Sequence, residues 1–433
     1  MKENNKTKTH QTKADNPRVL GIAVQKPEQT DSETEYSLAE LKELCKTLGA
    51  EMVGSIVQKR ESASRQTYFG TGKMEEVKIA SKKENVEFIV SDDELTALQI
   101  KNIEIATGLK VKDRTSIILD IFAAHASTKE GKLQVELAMH QYQMPRLMRM
   151  WTHLERQRGG IGLKGPGETQ LETDKRILTT KIKKLNEELD KIAKSRQQQG
   201  KKRIDRFAPL FSLVGYTNAG KSTLLNALSG GSKVKMFDGL FTTLDPTARR
   251  IELSEGYWCI VSDTVGFIRK LPHSLVKAFH ATLESIVQSE VLIIVCDVSD
   301  PSFKEQLKAV DKVLTQIKAN HHEKIYVFNK IDKGAAVSEE LLEASYPGCV
   351  FISAIEKTNI DALLGKIADI MRRNRVFINI KLPSNSPLIG EIMSLGKDVK
   401  QSWEQGFVEI AAELPKNYVG MLKTTGAQFQ ELP

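Results

Sequence analysis

Cysteine is scarce in this chain: Cys45, Cys259, Cys296 and Cys349 are the only four in 433 residues. They lie far apart and lack metal-ligand spacing, which argues against a disulfide framework or a cysteine zinc site. Three fall in apolar, strand-like runs, so they read as reduced core residues of a cytosolic protein. Long apolar runs are also missing. The longest, Val291 to Cys296, is far below the ~20 residues of a membrane-spanning helix and reads as a central strand. The opening Met-Lys-Glu-Asn-Asn-Lys offers no apolar segment of a secretory signal. What remains is an ordinary globular composition, 40% hydrophobic and 27% charged, at a length that suggests about three domains.

Five short strings between residues 215 and 354 carry the chemistry. The first is Gly215, Tyr216, Thr217, Asn218, Ala219, Gly220, Lys221, Ser222, followed by Thr223. It fits G-x-x-x-x-G-K-[ST] and lies between an apolar run, Phe211 to Val214, and a helical pattern from Ser222 to Leu228. Such a turn aims backbone N–H groups and a helix N-terminus at phosphates. Lys221 is then placed for the β/γ-phosphates and the Ser222 hydroxyl for Mg²⁺. Tyr257 to Asp263 is a strand ending in an acid, suited to hold Mg²⁺ from the strand tip. Gly266 lets a backbone N–H approach the γ-phosphate with no Cβ in the way. Thr243, preferred over Thr242, is the candidate switch threonine closing over the metal. Asn329, Lys330 and Asp332 follow another strand, and the Asp332 carboxylate can accept from guanine N1 and N2, a donor pair that adenine lacks. Ser353 and Ala354 end the last strand, with a backbone N–H for guanine O6. The strings predict a GTP/GDP site on an open α/β sheet, where ligands bind at the carboxyl ends of strands. Catalysis would be positioning and charge stabilisation, carried by Lys221, Thr243 and Gly266.

Two residues in these strings bear on control. Phe267 stands where many GTPases keep glutamine, and an apolar ring cannot orient water, which predicts slow intrinsic hydrolysis. Asn218 either holds K⁺ near the phosphates or suits the turn geometry, and the second reading is favoured. His273 and His280 flank an apolar stripe of Leu275, Phe279, Leu283 and Ile286, and neither is needed as a general base.

The formal net charge is +8. Such an excess usually coats a solvated face, so it counts only where it clusters. It clusters at Arg146, Arg149, Arg156, Arg158 and Lys164, near Tyr142 and Trp151, and again from Lys194 to Arg203.

The expected organisation is α/β. Residues 1–16 form a polar tail, 17–112 a small parallel α/β domain, and 113–206 a helical hairpin with a glycine-rich loop at 156–169. The hairpin reads as helix over 113–143, with a break near Gly131, and as a long charged helix from Thr169 to Gln198. Residues 207–374 form a P-loop GTPase domain, a mostly parallel sheet with helices on both faces. Residues 375–433 form a small α+β domain in which Val408, Ile410, Ala412 and Leu414 share a buried face. Gly160, Gly162 and Gly165 match a dinucleotide fingerprint on paper, but they follow a helix rather than a strand. The loop is either a passive linker or a backbone-rich surface for a phosphate-bearing partner.

Gly159-Gly160, Lys164-Gly-Pro-Gly-Glu-Thr-Gln-Leu-Glu172, Phe241 to Thr247 and Asp263 to Ile268 closely resemble the HflX-type GTPases. Asp113 to Phe122 and Gly131 to Leu137 resemble them too, so the likeness runs from about Arg18 to the C-terminus. Lys164 and Lys175 stand where members often carry arginine; they keep the charge and lose the guanidinium fork. Gly162 also replaces a frequent arginine. The resemblance implies a GTPase of the large ribosomal subunit whose loop, with Arg156, Arg158 and Lys164, meets rRNA. It also implies a role in splitting, recycling or rescuing ribosomes under stress. The expected state is a cytoplasmic monomer with no membrane-spanning segment, with peripheral membrane association left open. Alternatives are a GTPase of rRNA modification or ribosome maturation, and a nucleotide-gated binding module with negligible turnover. A modification enzyme should carry a cofactor pocket or catalytic cysteine motif outside the GTPase domain, and none is seen.

Overall fold

Strand and helix alternate through the first part of the chain. β1 (Arg18–Gln25), α1 (Asp31–Thr47), β2 (Glu51–Lys59), α2 (Thr71–Lys83), β3 (Phe88–Ser91), α3 (Ala97–Thr107) and β4 (Lys110–Asp113) build a parallel sheet ordered β2-β1-β3-β4. This computed structural model describes residues 16–155, 166–201, 209–230, 240–241, 247–270, 280–424 and 429–432. Ile22, Val77, Ile89 and Ile103 are fully buried in the core beside this sheet. α1 starts well before the apolar spacing at Leu38, because Thr30 and Glu33 form a reciprocal capping box. Thr96 and Gln99 do the same for α3.

Three helices follow: α4 (Arg114–His125), α5 (Lys129–Glu155) and α6 (Pro166–Lys201). The break expected near Gly131 falls earlier, between α4 and α5. Thr128 Oγ1 accepts the Gly131 N–H at 2.9 Å, so a capping hydroxyl rather than the glycine sets the helix start. α6 begins at Pro166, ahead of Thr169, since proline lacks only an N–H that the first turn leaves unpaired anyway. Residues 156–165 lie outside the described residues, and Arg156, Arg158 and Lys164 with them.

The third region is a six-stranded sheet. Its elements are β5 (Leu210–Gly215), α7 (Lys221–Leu228), β6 (Thr247–Glu252), β7 (Trp258–Asp263), α8 (His280–Gln288), β8 (Val291–Asp297), α9 (Phe303–Gln316), β9 (Glu323–Asn329), α10 (Glu339–Ser345), β10 (Val350–Ile352) and α11 (Ile360–Arg373). Strand order is β10-β9-β8-β5-β7-β6, parallel throughout except that β6 runs antiparallel to β7. Leu224, Leu225, Leu363 and Ile367 pack α7 and α11 into one core, while Leu283, Ile286, Leu307 and Val310 pack α8 and α9 into another. Thr242, Thr243 and His273 lie outside the described residues; His280 opens α8.

The chain ends in β11 (Arg375–Pro383), α12 (Leu388–Leu395), β12 (Lys397–Glu404), β13 (Phe407–Pro415), α13 (Lys416–Thr424) and β14 (Phe429–Leu432), an antiparallel sheet ordered β12-β13-β11-β14. Val408, Ile410, Ala412 and Leu414 are all buried, the face that their alternation requires. This sheet grips the turn between β6 and β7: Tyr257 Oη donates to the Glu413 carboxylate at 3.1 Å, and Lys397 Nζ sits 3.8 Å from the Tyr257 ring centre. By contact density the chain divides into two compact units, Met1–Ile121 with Gln143–Lys175, and Phe122–Tyr142 with Arg176–Pro433. Residues 113–121 and 143–175 fall in the first unit, and 122–142 and 176–206 in the second. No helix among the described residues is long and apolar enough to cross a membrane.

Candidate functional site

The carboxyl ends of β5, β7, β8, β9 and β10 carry Gly215, Asp263, Asp297, Asn329 and, one residue on, Ser353. β5 is central and, apart from the buried Ser212, apolar; it ends at Gly215, where a Cβ would overlap the Val295 carbonyl oxygen of β8. The chain then turns through Asn218 at φ 62° and Gly220 at φ 94° into α7. Both are left-handed, which glycine adopts without strain and asparagine tolerates. Asn218 thus has a conformational reason to be there.

Lys221 opens α7 and is buried. Its Nζ donates to the carbonyls of Gly215 and Tyr216 at 3.1 and 2.8 Å, folding the ammonium back across the loop. Burial pulls its pKa down to about 8; the Asp263 charge opposes this and the Lys330 charge adds to it. Ser222 Oγ donates to Asp263 Oδ2 at 2.5 Å, so the hydroxyl and carboxylate named for the metal do converge. This pair suits a hard, small cation, since Mg²⁺ takes one or two protein oxygens and completes its shell with phosphates and water. Among the described residues no cluster of three or more His, Cys, Asp or Glu is placed to hold a metal by itself.

Behind β7 the chain returns to the loop. Thr217 N donates to Phe267 O at 2.8 Å, Phe267 N donates to Gly215 O at 3.1 Å, and Arg269 N donates to Tyr216 Oη at 2.7 Å. Gly266 is held against the loop: a Cβ there would lie 2.9 Å from Thr217 Cα and 3.1 Å from Lys221 Nζ. The Thr217 hydroxyl is buried with no hydrogen-bond partner among the described residues, a polar atom fit for a phosphate-bearing ligand. The Phe267 ring, 1% exposed, packs in the core with Val214, Leu283 and Ile286. Its main chain, not its ring, serves the site.

Asn329 joins the two halves. Its Nδ2 donates to Ala219 O at 2.9 Å, and its Oδ1 accepts from Ala354 N at 3.0 Å. The Ala354 N–H assigned to guanine O6 therefore donates to Asn329 here. Ser353, fully buried, donates through Oγ to Asp332 Oδ1 at 2.6 Å and orients the carboxylate at the exposed rim. Lys330, at φ 69°, pairs with Asp297 Oδ2 at 2.7 Å.

The structure thus gathers Gly215 to Thr223, Asp263, Gly266, Asn329, Lys330, Asp332, Ser353 and Ala354 around one rim. Sequence reasoning missed Asp297 and Thr264, whose Oγ1 donates to Leu213 O at 2.6 Å. Asp297 carried a usable signal, an apolar strand run ending in an acid, as at Asp263. Arg146, read as part of a basic cluster for a polyanion, is engaged internally: it donates to Asp113 Oδ2 at 2.9 Å, to Glu94 Oε1 at 3.2 Å and to Leu95 O at 3.0 Å. The four cysteines are buried and unbridged.

Comparison with known proteins gives three family matches along the chain. Residues 35–123 match the family described as GTP-binding GTPase N-terminal, 125–203 the GTP-binding GTPase middle region, and 211–330 the 50S ribosome-binding GTPase family. GTPase HflX of Caldanaerobacter subterraneus subsp. tengcongensis is 42% identical over 88% of each chain. GTPase HflX of Escherichia coli K12 is 39% identical over 87% of this chain and 89% of its own. Among solved structures, a GTP-binding protein from Sulfolobus solfataricus in complex with GDP covers 82% of this chain and 99% of its own, with 24% identity and a TM-score of 0.42.

Proposed function

The chain belongs to the HflX family of GTPases, and from that premise we propose that it is a Mg²⁺-dependent, nucleotide-gated factor of the large ribosomal subunit that splits or recycles stalled or stress-idled ribosomes. The match of residues 211–330 to a family described as ribosome-binding carries the choice of partner. The approach of Ser222 to Asp263 at 2.5 Å supports the metal. Bound there, Mg²⁺ supplies positive charge to the β- and γ-phosphate oxygens. Lys221 exchanges two neutral carbonyl acceptors for phosphate oxygens, and the Gly266 N–H faces the γ-phosphate. Thr243 would help to hold the metal, Asp332, oriented by Ser353, reads guanine N1 and N2, and the Ala354 N–H exchanges Asn329 Oδ1 for O6. No glutamine follows Gly266, and the Phe267 ring is committed to the core, so water positioning falls to the ribosome and intrinsic turnover is slow. The protein works in the cytoplasm as a monomer.

Arg156, Arg158 and Lys164 supply the salt-dependent term of rRNA binding. The deciding experiment is cosedimentation with separated subunits under GDP and a GTP analogue, using wild type and the triple alanine variant at these residues. Binding to the large subunit in the GTP-analogue state is expected. The variant should flatten the salt dependence by up to about one log unit per lost phosphate contact, with ribosome-independent hydrolysis unchanged. Wild type that ignores the large subunit in both states refutes the proposal. Hydrolysis at about 1 s⁻¹ or faster without ribosomes, far above the intrinsic Ras scale, refutes the gating. The left-handed geometry of Asn218 favours its turn role, so hydrolysis rates should match in KCl and NaCl.

A further inference from the structure

The tip of β8 holds a carboxylate that none of the nucleotide strings contains. Asp297 pairs in register with Asn329 of the neighbouring strand, which brings its side chain beside Lys330. Oδ2 lies 2.7 Å from Lys330 Nζ, and both side chains are 17% exposed, sheltered enough for the pair to be more than a surface contact. Oδ1 is held from the other side, accepting from the Ser299 N–H at 3.1 Å and the Ser299 hydroxyl at 2.6 Å. The backbone fixes the same junction, with Val298 N donating to Asn329 O at 3.0 Å and Ala336 N donating to Val298 O at 2.9 Å. The carboxylate therefore has one orientation, set before any ligand arrives.

Lys330 needs such a partner. Its left-handed backbone is uncommon for a residue with a side chain, and a long flexible stem would otherwise sample many rotamers. Its charge is also felt at Lys221, across the phosphate cradle. Left unpaired, two ammonium groups would repel across one pocket. Asp297 neutralises the outer one and leaves Lys221 as the cation of the phosphates.

We propose that Asp297 is a positioning residue for nucleotide binding, acting through Lys330, which it holds in one rotamer beside Asn329 and Asp332. This rests on the guanine-site reading above. It predicts coupling rather than simple loss. In calorimetric titrations of the full chain with GDP and Mg²⁺, Asp297→Asn should weaken binding about tenfold, or about 1.4 kcal/mol. Asp297→Glu, which keeps the charge at a different reach, should recover part of the loss. In the Lys330→Met background the Asp297→Asn change should cost almost nothing further, because the group it acts through is gone. Losses that add in full, or wild-type affinity in Asp297→Asn, overturn the proposal. So does a fall in the nucleotide-free melting temperature that is equal in both backgrounds and accounts for the lost affinity, since that is a merely structural role. The guanine reading is tested separately: wild type that binds ADP as tightly as GDP sinks that reading, whatever the double-mutant cycle returns.

Discussion

Two largely parallel sheets in this chain carry carboxylates at the ends of some strands, and they treat them in different ways. In the N-terminal sheet, β3 runs into Asp92 and β4 ends at Asp113. Arg114, 2% exposed, binds Asp92 at 2.8 Å and also the Glu40 carboxylate of α1. Arg146 reaches Asp113 from α5 at 2.9 Å. The protein's own guanidinium groups pair with these carboxylates. In the GTPase sheet Asp263 accepts from the Ser222 hydroxyl and Asp297 pairs with Lys330 at the rim, beside the turn from Gly215 to Gly220. What distinguishes the second sheet is the close approach of backbone that Gly215, Gly220 and Gly266 permit around the turn, and a buried Lys221 ammonium held by two carbonyl oxygens.

The comparison breaks most sharply at Arg114. Arg114→Ala would strand two buried carboxylates, and the N-terminal unit should lose about 3–5 kcal/mol in urea unfolding. GDP affinity should stay at the wild-type value, and a loss of nucleotide binding would mean that this cluster is not merely internal. Next comes Gly266→Ala. Its Cβ would press on Thr217 and Lys221. With the N–H displaced from the γ-phosphate, turnover should drop about 10²–10³-fold, as for an oxyanion donor, with much less effect on GDP binding. Single-turnover assays separate the two.

A third test uses pH. Lys221 titrates near 8 in the nucleotide-free fold, held low chiefly by burial. Below that pH the lysine is already charged. Above it, phosphate binding must take up a proton, so GDP affinity should fall by up to about tenfold per pH unit. Titrations from pH 7 to 9 that stay flat would show that the ammonium keeps its proton without the ligand. The smallest effect belongs to Arg18→Ala, which removes a half-exposed pair with Glu84 at 3.0 Å and should cost ~0–1 kcal/mol. A cost as large as that of Arg114→Ala would erase the distinction between buried and surface pairs.

The nucleotide rim was legible in the sequence because phosphate cradles are made of consecutive residues. The turn from Gly215 to Ser222 needs its glycines, lysine and hydroxyl at fixed local offsets, and strand-tip acids announce themselves after apolar runs. The fold class was legible too, through apolar runs that alternate with helical spacing. Partnerships over long separations were not. Arg146 meets Glu94 across 52 positions and Arg114 meets Glu40 across 74, distances that no periodicity reports. Arg146 consequently looked like a surface cation. β4 escaped because Lys110-Val-Lys-Asp113 buries a single apolar side chain, Val111. The helix break was misjudged at Gly131, since a capping threonine outranks a glycine that fits inside the first turn.

Asn329 has a consequence for how this protein can vary. One side-chain amide ties Ala219, 110 positions earlier, to Ala354, 25 positions later. A substitution at any of these three places alters the geometry in which the other two are tested, so their effects should not sum. Tolerance measured one position at a time will overstate the freedom of the lineage. Changes that reshape the phosphate turn can persist only where the amide, or the loop after β10, has already shifted to receive them.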